Sequence, residues 1–103
     1  MAIIDKYALS KDLVSVLSTD DQVEKIIIFG SFIRSSSPND MDVAVFCDSK
    51  DDYLTLALAL RKKLRKLSRI IPIDLLPISI PYDPAALFLQ EINKGEVVYE
   101  KRH

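Results

Sequence analysis

Asp40 and Asp42 stand one residue apart at the head of an apolar run, within the stretch "GSFIRSSSPNDMDVAVF" that spans positions 30–46. In a β-strand residues i and i+2 point to the same face, so these two carboxylates would lie close together. Like charges at that range repel and raise one another's pKa unless a cation sits between them. Oxygen-only ligands favour a hard ion, and Mg²⁺ typically takes one or two protein carboxylates and completes its shell with water and substrate phosphate. A third carboxylate, Asp74, stands in "PIDLLP" among Ile73, Leu75 and Leu76, where a lone buried charge would be costly. A strand carrying Asp74 beside the strand of Asp40 and Asp42 would complete a cluster. Three such groups can hold two metal ions that clamp the attacking and leaving oxygens of a phosphoryl-type displacement.

Gly30 and Ser31 supply what the other half of such a site needs. A glycine at a strand end lets a triphosphate approach the backbone, and the Ser31 hydroxyl with the amides of the following turn can donate to its oxygens. Arg34, about one turn further on, has the forked geometry that neutralises phosphate charge.

The elements that must position these residues are read from periodicity, since the chain has only two glycines to punctuate it. "SKDLVSVLSTD" carries Leu13, Val14 and Leu17 at helical spacing, with Ser10 as N-cap. "QVEKIIIFG" reads as a strand buried on both faces, because "IIIF" is too continuous for a half-exposed edge. Ser31 to Arg34 form a turn of helix, "SSSPND" is a loop, and "MDVAVFC" is a second strand. Over positions 51–68, Leu56, Leu60, Leu64 and Leu67 make one apolar stripe of a long helix. "IIPIDLLPI" supplies a third strand whose Pro72 and Pro77 require an edge or strand-end position. "DPAALFLQEINKG" opens with an acidic cap and Pro84 at the first helical position and closes at Gly95, before a possible last strand, "EVVYE". The expected fold is a mixed α/β sandwich, read as one domain over residues 1–103.

Charge and cysteine content narrow the function class. The formal net charge of −1 at pH 7 argues against nucleic acid as an obligatory partner. Cys47 is the only cysteine, which leaves no disulfide framework and no thiolate metal site and fits a reducing cytoplasm. The N-terminus lacks a signal-type apolar region, and no run is long enough to span a bilayer, so a soluble, unprocessed protein is expected. Each remaining polar feature has a structural reading. The cations from Arg61 to Arg69 form a solvated face favoured by the helix dipole, and Asp48, Asp51 and Asp52 cap and charge the start of the long helix. Tyr53, Tyr82 and Tyr99 are read as packing residues, and the single His103 is terminal.

Together, Gly-Ser, Arg and Asp-x-Asp in "GSFIRSSSPNDMDVAVF", followed by the acidic strand "PIDLLPI", resemble the minimal nucleotidyltransferases of the DNA polymerase beta superfamily. The ending "LQEINKGEVVYE" is similar to the tail of its stand-alone domains. The resemblance implies a mixed sheet with helices packed on one face and Mg²⁺-dependent transfer of a nucleoside monophosphate, with ATP as the expected donor. It implies that Asp40 and Asp42 are metal ligands and that Asp74 ligates metal or activates the acceptor hydroxyl. It also implies that Gly30 and Ser31 contact the triphosphate. The chain departs from the family pattern at Ser35, where relatives usually have glycine, and in a Ser31 to Asp40 spacing shorter than the commonest one. No second helical domain is available to grip an acceptor. In the family, stand-alone domains are commonly paired with a small helical HEPN protein as the antitoxin of a toxin–antitoxin system, adding AMP to a tyrosine of the partner. Two alternatives stay open: a nucleotide-binding module that acts sterically on a partner, and a small-molecule adenylyltransferase whose acceptor site is completed by a homo-oligomer.

Overall fold

The computed structural model describes residues 5–83, 85–86 and 88–102. Helix α1 spans Lys6–Leu17, and Asp5 is its N-cap, accepting from the Ala8 amide at 3.0 Å. The expected cap at Ser10 therefore lies inside the helix. Extended backbone at Asp5 starts the helix a turn and more earlier, which lets Leu9 join Leu13 and Leu17 on one buried stripe. Strand β1 follows at Val23–Phe29, then the single turn α2 at Ser31–Arg34 and strand β2 at Met41–Cys47.

Helix α3 covers Tyr53–Lys63, shorter than its apolar stripe. At Leu64 the backbone leaves the α-region, and the chain tightens into a 3-10 turn at Leu67–Arg69. Leu64, Leu67 and Ile71 nevertheless remain buried, since the three-residue step from Leu64 to Leu67 suits a tighter helix as well as an α-helix. Strand β3 is Ile73–Ser79, helix α4 is Phe88–Asn93 and strand β4 is Glu96–Glu100, so the last strand is real. α4 starts later than expected. Asp83 accepts from the Ala85 amide at 2.9 Å and closes a turn ahead of the helix, while Pro84, assigned to the first helical position, lies outside the described residues.

The strands form one mixed sheet in the order β3-β2-β1-β4, with β2 and β3 parallel and the other pairs antiparallel. β1 is central, as its unbroken apolar run requires. Pro77 sits inside β3, opposite Val45, and is tolerated because β3 is an edge strand with no ladder partner on its outer side. Alternation along the strands divides the core in two. Ile26, Ile28, Val43, Val45 and Leu75 pack with the buried stripes of α1 and α3 and with Phe32 of α2. Ile27, Ala44, Phe46 and Ile78 pack on the other side with Leu89 and Ile92 of α4. The expected one-sided helical layer thus holds for α1, α2 and α3, and the short α4 is an addition on the opposite face. Gly95 lets the chain turn from α4 into β4, because a Cβ there would stand 2.7 Å from Phe29 Cβ and collide with the Ile28 carbonyl.

Candidate active site

β1 ends at Phe29, and Gly30 turns the chain into α2 with φ 75° and ψ −149°, a region open to glycine and strained for any other residue. The turn also needs the space, since a Cβ on Gly30 would be driven into the Asp42 carboxylate, with Asp42 Cγ at 3.4 Å. Backbone and acid are therefore in direct apposition. Ser31 follows, and its hydroxyl donates to Asp40 Oδ1 at 3.0 Å, tying the first turn of α2 to the head of β2.

Asp42 is the second residue of β2, opposite Phe29 on one side and Asp74 on the other. The parallel register brings the two acids side by side at the same end of the sheet. Strand alternation places Asp42 on the face of Ala44 and Phe46, and Asp74 on the face of Leu76 and Ile78, which is the face that α4 covers further along. The Asp42 carboxyl is held above its ordinary value, first by burial, then by the charges of Asp40 and Asp74, and by a side-chain hydrogen bond with Asp74. Asp74 itself is exposed. The burial cost expected of it falls on Asp42 instead, because Asp74 stands near the start of an edge strand while Asp42 is enclosed between two neighbours.

The structure therefore brings together Gly30, Ser31, Asp40, Asp42 and Asp74, drawn from the ends of three strands. Among the described residues no lysine or arginine forms an ion pair with any of these acids. Among the described residues no three acids are already gathered as a cage, but Mg²⁺ takes only one or two protein carboxylates, and the uncompensated oxygen donors of Asp40 and Asp42 fit it. Arg34 ends α2 with an exposed side chain, placed on the turn rather than in the acid cluster.

The other polar features settle into structural roles. Asp52 caps α3, and its hydrogen bonds with Thr55 hold its carboxyl below the usual range. Asp48 and Asp51 are exposed, as are the cations from Arg61 to Arg69. Tyr82 rests on Phe46 with ring centroids 5.1 Å apart, Tyr99 packs against the larger core, and Tyr53 is exposed at the start of α3 instead of packed. His103 lies outside the described residues. One residue near the site had no signal in the sequence: Lys6, whose ammonium donates to the Ser35 carbonyl at 2.8 Å and the Ile33 carbonyl at 3.4 Å. A contact across 29 positions leaves no local pattern to read.

Residues 11–103 match the family described as Polymerase beta, Nucleotidyltransferase. The chain belongs to this nucleotidyltransferase family. The matched stretch contains every residue of the acid cluster and the glycine turn. No curated protein matches the nucleotidyltransferase chain in sequence. Solved structures match it in fold. One is the structure of a tri-AMPylated Shewanella oneidensis HEPN toxin in complex with MNT antitoxin, at TM-score 0.67 and 15% identity over 94% of this chain and 74% of that one. A toxin–antitoxin structure with AMP-PNP gives TM-score 0.67 and 17% identity over 90% and 74% of the two chains. The toxin–antitoxin MntA-HepT gives 0.64 and 15% over 92% and 73%. At such identities the likeness speaks for the fold of this nucleotidyltransferase domain, a mixed four-stranded sheet with helices.

Proposed function

We propose that residues 1–103 act as one Mg²⁺-dependent nucleotidyltransferase domain that moves AMP from ATP to a hydroxyl of a partner protein. The observation that carries this reading is the register of Asp42 against Asp74, with Asp40 tied to Ser31 at the glycine turn. Asp40 and Asp42 would hold Mg²⁺, with Asp74 within reach of a second ion. When bound, the cation offsets the charge of the triphosphate and of the departing pyrophosphate.

The chain's own residues do the rest. The Gly30 turn, with no side chain, admits the phosphates to the backbone of α2, and Arg34 at the far end of that turn is free to fold over them. Asp74, exposed on the edge strand, is the carboxylate that an incoming acceptor can reach, and it takes the hydroxyl proton. The acceptor oxygen then bonds to the α-phosphorus as the bond to the β-phosphate oxygen breaks and pyrophosphate leaves. The Ser31 to Asp40 hydrogen bond fixes Asp40 while this happens.

The acid cluster lies at an open end of the sheet with Asp74 exposed, which suits an acceptor presented by another chain. The fold likeness to chains in complexes of MNT antitoxin with HEPN toxin, one of them with a tri-AMPylated toxin, supports a HEPN-type partner as acceptor, and a tyrosine hydroxyl is the group proposed on it. ATP as donor and a buried reduced cysteine fit a cytoplasmic setting. The test is incubation with α-labelled ATP and Mg²⁺ in a lysate of the native cells, beside an Asp40→Ala/Asp42→Ala variant. A labelled protein band that requires the two aspartates is the expected result, and a band of equal strength with the variant refutes the assignment.

One observation favours a second reading, a nucleotide-binding module that acts sterically. Among the described residues no three acidic, histidine or cysteine side chains converge into a ready-made cation cage. A change of Asp40, Asp42 and Asp74 together separates the two: protection against the partner is lost if transfer is required and kept if covering suffices.

A further inference from the structure

We infer that Lys6 is a positioning residue for the nucleotide loop, an inference that rests on the nucleotidyltransferase reading of the site. Lys6 opens α1 and lies ahead of the stretch matched by the family, which begins at residue 11. Its ammonium reaches the far end of α2, where it donates to the carbonyls of Ile33 and Ser35 at 3.4 and 2.8 Å and stands 5.5 Å from the centre of the Phe32 ring. A helix end leaves its last carbonyls without intrahelical partners, and a cation is the favoured group to take them. In a helix of four residues these bonds are a large share of what fixes its direction.

The consequence runs through the site. α2 carries Ser31, whose hydroxyl holds Asp40. Ser35 opens the loop that returns to Asp40, and its amide bonds back to the Ser31 carbonyl at 2.8 Å. The segment from Gly30 to Asp40 is thus tied at its ends by Ser31 to Asp40 and at its middle by Lys6 to Ser35. The clamp on the Ser35 carbonyl acts from outside the loop, where the loop's own hydrogen bonds leave that oxygen to Lys6. Lys6 does this from the helix side of the sheet, away from the carboxylates, so its part is to hold the loop and not to touch the reacting atoms.

The test compares Lys6→Met, Lys6→Arg and Lys11→Met, read by titration with a fluorescent mant-ATP analogue and Mg²⁺ and by amide hydrogen exchange over residues 31–40. Lys11 removes the same charge from the same helix, and its ammonium lies over the exposed Tyr7 ring instead of the loop. The expected result is about a tenfold loss of affinity in Lys6→Met, consistent with losing a charged hydrogen bond. Exchange should be faster over residues 31–40 and unchanged in β1 and β2. Lys6→Arg should restore most of the affinity, and Lys11→Met should match the unsubstituted chain. Equal affinity in Lys6→Met and the unsubstituted chain overturns the inference while leaving the site reading intact. An equal loss in Lys11→Met also overturns it, because net charge alone would then account for the effect. Failure of the unsubstituted chain to bind the analogue refutes the site reading, and the inference with it.

Discussion

Replacing Gly30 with alanine couples stability to the site in a way that can be worked out from the backbone. At φ 75° and ψ −149° a non-glycine residue pays about 1–3 kcal/mol in conformational strain. The new Cβ also displaces the Asp42 carboxylate, whose Cγ would be 3.4 Å away. Turning that side chain off its rotamer adds about 0.5–1.5 kcal/mol. The total, about 1.5–4.5 kcal/mol, lowers the melting temperature of a domain this size by about 6 °C or more. Because the acid itself is pushed aside, Mg²⁺-dependent nucleotide affinity should fall in the fraction that remains folded. Gly95→Ala is the control. It meets comparable crowding, against the Ile28 carbonyl and against Phe29 at 2.7 Å, but no site carboxylate is among the three atoms nearest its Cβ. It should lose stability while the folded protein keeps its affinity. Urea unfolding and mant-ATP titration read the two effects separately. A Gly30→Ala protein within about 0.5 kcal/mol of the unsubstituted chain, or one with full nucleotide affinity, refutes the apposition of turn and acid.

Three further outcomes are expected. Asp42→Asn should abolish transfer yet raise the metal-free melting temperature near neutral pH. The folded Asp42 carboxyl titrates above its ordinary 3.8, so the folded state binds more protons in that window and stability is lost as pH rises through it; a less stable Asn variant in EDTA at pH 7 contradicts this. Burial pushes the Cys47 thiol up to about 12 from 9.0. Stability should therefore fall with rising pH between these values, by at most about 1.4 kcal/mol per unit, and a thiol reagent at pH 8 should react only on unfolding. Leu60→Ala, at a fully buried position of the larger core, should cost about 2–5 kcal/mol, whereas Leu58→Ala, 56% exposed on the same helix, should cost less than about 0.5 in urea unfolding.

The strands and the acid pairing were legible because their signals are local. "KIIIF" can be buried on both faces only in the middle of a sheet, and β1 lies there. The spacing of Asp40 and Asp42 and the acid within "PIDLLP" depended on one assumption, that their strands are neighbours, and the parallel register of β2 and β3 meets it. Helix ends were harder. Ser10 has cap chemistry, but Asp5 has it too and stands one stripe position earlier, so the helix that buries Leu9 wins. The burial of Asp74 was misjudged because apolar neighbours in sequence point to alternate faces and say nothing about how far a strand end projects. Lys6 was beyond reach altogether, since its partners are backbone carbonyls that any residue would present.

The division of the sheet explains how so small a domain tolerates its acids. The larger core, on the side of α1 and α3, joins both central strands to two helices and extends through Leu64, Leu67 and Ile71 toward β3. Asp42 and Asp74 project to the other side, at an end of the sheet beyond the smaller cluster under α4. Moving a charge on that face therefore leaves the main packing untouched. Repulsion among Asp40, Asp42 and Asp74 weakens the fold, but it acts where few apolar contacts depend on it, and on the proposed function a bound cation with its nucleotide would remove it. On the proposed function the same arrangement makes ligand binding stabilising: the charges that cost the protein most would be the ones that bind Mg²⁺-nucleotide, so the melting temperature should rise with Mg²⁺-ATP more than with either component alone.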